Sequence, residues 1–170
     1  NHKRYPIHAP SGACSVISSL NSARSATLPA SPNTQDATPL KRPVWLLSMD
    51  SEQFNAPPTT TAGLSSYYRK TGLYANETDI ELVHFQAAQE IAPWLHAWQE
   101  EGVTLARAAL AQNMAPVVGF SFYTWNAAEF LDLLARMKAL LPELLFVAGG
   151  PHVQQVEDYL GVDPLDVIFV

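Results

Sequence analysis

Hydrophobic residues in this chain fall into short runs that alternate with helical spacings. Val44-Trp45-Leu46-Leu47-Ser48-Met49 is an apolar run closed by Asp50 and predicts a buried strand. A polar loop carrying Pro57 and Pro58 follows, and Leu64, Tyr67 and Tyr68 then recur at helical spacing from Thr60 to about Lys70, with Gly72 as the stop. Ile80 to Phe85 predicts a second strand. Residues 87–112 are helical in composition, with Pro93 in an early turn and Gly102 dividing them into two helices.

Pro116 to Tyr123 predicts a third strand. Phe130, Leu131, Leu134, Met137 and Leu141 then follow the 3.6-residue period of a helix over 127–141 that Asn126 would N-cap and Pro142 would end. Leu144 to Ala148 reads as a fourth strand running into Gly149-Gly150-Pro151. His152 to Leu160 reads as a short helix stopped by Gly161, and Asp166 to Val170 as a fifth strand. Continuous apolar strands alternating with helices imply a parallel sheet covered on both faces. The expected class is α/β, a flavodoxin-like (Rossmann-like) doubly wound sheet of five parallel strands in the order 2-1-3-4-5. Ligands of such sheets lie beyond the carboxyl ends of the strands where the strand order reverses, which singles out the loops 50–63, 121–126 and 149–152.

Composition divides the chain. Residues 1–42 are rich in Ser, Ala, Thr, Pro and Asn, lack periodicity from Ser22 to Pro39, and read as a disordered leader or linker, with a faint likeness to an organelle transit peptide. They hold five basic residues and one acid; residues 43–170 hold the other five basic and fifteen acidic residues, out of 10 and 16 in the whole chain. A folded part that acidic repels nucleic acid. No run approaches the roughly 18 apolar residues of a membrane span. A cytoplasmic protein is expected. The lone Cys14 excludes a disulfide framework, a four-cysteine zinc site and a self-contained iron–sulfur cluster. The start at Asn1 and the end at Val170 inside an apolar run read as a truncated chain, cut within its fifth strand.

The loops narrow the chemistry. G-x-G-x-x-G, Gly-Lys-Ser/Thr and G-x-S-x-G are all absent, which removes the dinucleotide fingerprint, the phosphate loop and the hydrolase nucleophile elbow. The acid at the third strand end and the late lysine of a phospho-receiver are missing too: Tyr123 and Thr124 stand at that strand end, and no lysine follows Lys138. What remains is a small-polar and aromatic loop, Ser121 to Asn126, beside the side-chain-poor Gly149-Gly150-Pro151. The Thr59-Thr60-Thr61-Ala62-Gly63 segment at a helix start offers hydroxyls and N–H groups to a ligand.

In order along the chain stand Pro57-Pro58, Gly63-Leu64, Tyr67-Tyr68-Arg69-Lys70, then Val118 to Asn126, Pro142, and Phe146-Val147-Ala148-Gly149-Gly150-Pro151-His152. Over residues 43–170 this pattern resembles the cobalamin-binding domain at the N-terminus of cobalamin-dependent radical S-adenosylmethionine enzymes. The resemblance implies cobalamin as the cofactor and Ser121 as a hydrogen-bonding partner of its displaced base. It implies Gly149, Gly150 and Pro151 clearing a slot for the nucleotide tail, and Tyr123, Thr124 and Trp125 giving surface to the macrocycle. Thr60, Gly63 and Asn126 would meet its amides or phosphate. Glu52 stands where mutase-type domains carry a cobalt-ligating His, so binding without a histidine ligand is implied. No metal ligand and no catalytic residue is expected in this chain. S-adenosylmethionine and a [4Fe-4S] cluster would belong to a radical domain, normally part of the same polypeptide, that these residues do not contain.

Two other readings fit the same loops. One is a flavin-mononucleotide protein of flavodoxin type, with the threonine run as phosphate loop, although that loop stands about nine residues beyond the first strand rather than directly after it. The other is a ligand-free interaction domain. His84 and His96 read as partly buried strand and helix residues, and Asp50 as a loop-bonding acid.

Overall fold

Five strands pair in parallel into one sheet of order β2-β1-β3-β4-β5. They are seen in a computed structural model that describes residues 39–51, 57–153 and 165–168. The strands are β1 (Arg42–Met49), β2 (Thr78–Phe85), β3 (Val117–Ser121), β4 (Leu145–Gly149) and β5 (Val167–Ile168). The helices are α1 (Thr59–Thr71), α2 (Ile91–Glu100), α3 (Gly102–Leu110) and α4 (Ala127–Leu140). The expected class and strand order are both present. Residues 1–38 of the expected leader, with Cys14, the loop residue Glu52, and all but His152 and Val153 of the helix expected over 152–160 lie outside the described residues; β1 begins at Arg42, the last residue assigned to the leader.

The period-2 geometry of strands sorts the sheet residues onto two faces. Trp45, Leu47, Met49, Val83, Phe85, Val118, Phe120, Phe146 and Ala148 all point to one face and form the core with α2, α3 and α4. Phe130, Leu133, Leu134 and Met137 of α4 are fully buried against it, and Trp45, Trp94 and Trp98 form a run of aromatic contacts beneath α2. Right-handed crossovers dictate this sidedness. The chain steps from β1 to β2 in one direction, which puts α1 on one face. It then returns through β3 and β4 in the other direction, which puts α2, α3 and α4 on the opposite face.

The α1 face differs from what its sequence suggests. Leu64 and Tyr67, the apolar pair at helical spacing, are 59% and 71% exposed, whereas Thr61 and Ser65 are buried. The helix sits over Ser48 and His84, whose polar side chains need partners, so hydroxyls rather than hydrocarbon turn inward. β3 also ends at Ser121, two residues earlier than the apolar pattern implies. Phe122 still donates to the Gly149 carbonyl at 2.7 Å, and the chain then turns away at Tyr123. His96 is exposed rather than partly buried.

Candidate functional site

The exposed side of the β1–β3–β4 junction carries an open groove of about 420 Å³, beside α1 and at the carboxyl ends of the strands. Gly119, Ser121, Val147, Gly149 and Gly150 line its sheet side, and Thr60, Thr61 and Leu64 line its helix side. Ser121 and Gly149 are direct partners in the β3–β4 ladder, so the hydroxyl and the side-chain-poor backbone face the same opening. The Ser121 Oγ is buried and has no hydrogen-bond partner among the described residues. A buried hydroxyl without a partner carries a desolvation cost of roughly 1–3 kcal/mol, which a ligand acceptor or donor in the groove would relieve.

The rims of the groove are tied together by local chemistry. The Asn126 side chain is fully buried; its Oδ1 accepts from the Tyr123 N–H at 2.8 Å and its Nδ2 donates to the Ser121 carbonyl at 3.1 Å. Asn126 does occupy the N-cap position of α4, and its carbonyl accepts from Phe130 N–H, but its side chain makes no cap bond. The Asn126 amide, expected to meet a ligand, is bonded to the loop that presents Ser121 and Tyr123. Tyr123 and Trp125 stack with ring centroids 4.5 Å apart; the Trp125 Nε1–H donates to the Met49 carbonyl, while the side chain remains 46% exposed. The Tyr123 hydroxyl lies 3.3 Å from Thr60 Oγ1, bridging the loop to the first turn of α1.

Gly150 has a reason of its own to be glycine. Its φ is +115°, and a Cβ there would stand 2.6 Å from the Phe122 carbonyl oxygen. The turn after β4 wraps Phe122, whose carbonyl accepts from His152 N–H, so the close approach is to the protein's own backbone. Gly150 both closes this turn and lines the groove.

Among the residues singled out in the sequence, Thr60, Ser121, Gly149 and Gly150 meet at the groove. Tyr123 and Trp125 line an adjoining cavity of about 240 Å³ that shares Thr60, Thr61 and Ser121 with it. Gly63, Thr124 and Pro151 are exposed and line neither. Sequence reasoning missed Leu46, Leu64, Gly119, Phe120 and Val147 as lining residues, whereas Thr61 belonged to the threonine run it offered to a ligand. Gly119 was the available signal, since glycine inside a strand marks a place where another group approaches closely. It also missed the pairing of Ser48, His84 and Asp50. His84 Nδ1 lies 2.9 Å from Ser48 Oγ, while the buried Nε2, 3.4 Å from Asp50 Oδ2, makes no hydrogen bond among the described residues.

No cluster of three or more His, Cys, Asp or Glu side chains suited to a metal ion occurs among the described residues, and no described helix is long and apolar enough to cross a membrane. Comparison with known protein families and with curated proteins finds no match to this chain.

Proposed function

We propose that residues 43–170 form a cobalamin-binding module of the kind that serves a radical S-adenosylmethionine methyltransferase. The observation that carries the reading is the partnerless, buried Ser121 hydroxyl, opposite Gly149 at the edge of an apolar groove. The groove's volume lies within the roughly 300–1,000 Å³ of small-molecule sites, and its position at the strand-order switch point is where doubly wound sheets bind ligands.

The residues present suit the cofactor. Gly149 and Gly150 leave the end of β4 free of side chains for a flat heteroaromatic base, the Leu46 side chain lies across Gly119, and Val147, Leu46 and Leu64 give apolar walls. Ser121 would hydrogen-bond that base. Thr60 and Thr61, in the first turn of α1, would meet polar groups of the tail, where helix N–H groups favour negative charge. The stacked Tyr123–Trp125 pair would support the edge of the macrocycle. Methyl transfer is the chemistry the cofactor supplies when bound; the chain's part is to bind and orient it. The radical domain would be a partner outside these residues, and the setting a cytoplasmic one.

The test is retention. Purified protein mixed separately with hydroxocobalamin and with flavin mononucleotide, then desalted, is expected to keep a stoichiometric corrin spectrum. A flavin spectrum alone would replace the reading with a flavodoxin-type one, and retention of neither would leave an interaction domain.

A further inference from the structure

Ser48 and His84 are direct partners in the β1–β2 ladder and point to the same face of the sheet, and Asp50, two residues beyond Ser48, comes back to that face just past the strand end. The Ser48 Oγ lies 2.9 Å from His84 Nδ1, and His84 Nε2 stands 3.4 Å from Asp50 Oδ2. With the serine hydroxyl donating, Nδ1 is the accepting nitrogen and Nε2 carries the proton; Nε2 makes no hydrogen bond among the described residues, and Asp50 acts on the ring through its charge at 3.4 Å. That is the tautomer a general base facing a serine requires. All three residues line the 240 Å³ cavity next to the groove, together with Pro57, Pro58 and Trp125.

We propose that Ser48, His84 and Asp50 form an acyl-transfer centre that hydrolyses small, uncharged carboxylic esters. Such a constellation is recognised by its geometry and roles rather than by its sequence motif, and this one uses the imidazole ring in the inverted sense, with Nδ1 toward the nucleophile. Ser48 Oγ attacks the ester carbonyl carbon while its proton passes to His84 Nδ1. The bond to the alkoxy oxygen breaks, and His84 returns the proton to the departing alcohol. Water then attacks the acyl-serine, gives a proton to the same nitrogen and releases the carboxylic acid, with the proton handed back to Ser48. Thr60 and Thr61, in the first turn of α1, line the cavity, and their backbone N–H groups would meet the negative charge that develops on the carbonyl oxygen; the Thr59 N–H is bonded to the Pro57 carbonyl.

The substrate class follows from size and charge. The cavity holds a short acyl chain, and its described lining contains no lysine or arginine to neutralise an anion, while Asp50 repels one. Ser48 and His84 touch the reacting atoms; Asp50 acts through His84 and is a positioning residue. The proposal rests on the Ser48–His84–Asp50 geometry and not on the cofactor reading, although the cavity shares Thr60, Thr61 and Ser121 with the groove and is lined by Tyr123 and Trp125.

The experiment is labelling of the full chain by a biotinylated fluorophosphonate, with the adduct located by peptide mass spectrometry, alongside turnover of p-nitrophenyl acetate. The expected result is an adduct on Ser48, absent in Ser48→Ala. In His84→Gln, labelling should slow by about a hundredfold with the far-ultraviolet circular dichroism unchanged. Asp50→Asn should lower kcat with KM unchanged. Folded wild-type protein that takes no label at Ser48 would overturn the proposal, as would labelling at the same rate in a folded His84→Gln variant.

Discussion

The side-chain amide of Asn126 spans the loop after β3, donating to the carbonyl of Ser121 at 3.1 Å and accepting from the N–H of Tyr123 at 2.8 Å. One buried residue thus holds both the residue whose hydroxyl faces the groove and the residue whose ring lines the adjoining cavity. Asn126→Ala would leave a buried carbonyl and a partly buried N–H without this partner. The expected loss is about 2–4 kcal/mol, read as a lower urea midpoint with an unchanged slope.

Ser121 sets stability against binding. Because its hydroxyl is buried and without a partner, Ser121→Ala should leave the ligand-free protein equally stable or more stable, by up to about 1 kcal/mol. The same change should weaken corrin retention by roughly tenfold, the effect of one lost hydrogen bond. Ser121→Leu should abolish retention by filling the groove. Equilibrium dialysis with hydroxocobalamin, alongside urea melts of the ligand-free protein, separates the two effects.

Gly150 is held by the backbone rather than by a ligand. With φ at +115° and the Phe122 carbonyl oxygen 2.6 Å from any added Cβ, Gly150→Ala should cost at least about 2 kcal/mol in the absence of any cofactor. A thermal melt of the ligand-free variant measures it.

The polarity of α1 makes a paired prediction. Leu64 is largely exposed, so Leu64→Gln should change stability by less than about 0.5 kcal/mol. Thr61 is buried, with its hydroxyl 3.5 Å from Ser48 Oγ and 3.3 Å from the Pro58 carbonyl, so Thr61→Leu should cost about 1–3 kcal/mol through overpacking and lost partners. Guanidinium melts of the two variants should differ clearly in midpoint. Equal midpoints would mean that α1 turns its other side to the sheet.

Much of this arrangement was legible in the residues. The apolar runs of β1, β3 and β4 and the 3.6-residue spacing of α4 are local signals, because each element's hydrogen bonding is satisfied within a few residues or by a neighbouring strand of like character. Strand order was expected because five alternating strand–helix units suit the doubly wound class, and it is the order present. Ser121 and Gly149 could be matched because both close strands that had to be neighbours in that order.

What the tertiary structure alone decided concerns partners distant in sequence. The spacing of Leu64, Tyr67 and Tyr68 marked α1 as a helix but gave the wrong inward side, because the sheet beneath it presents Ser48 and His84 and so selects Thr61 and Ser65. Asn126 read as a helix cap from its neighbours, yet its amide went to the loop backbone, where Ser121 and Tyr123 offered buried groups in need of partners. The pairing of Ser48 with His84 joins positions 36 residues apart through strand register, which no local pattern encodes. The periodicity along the chain settled which elements form. Their polar side chains found partners only when the sheet brought distant strands into register, since burying a polar group is costly unless something nearby can hydrogen-bond it.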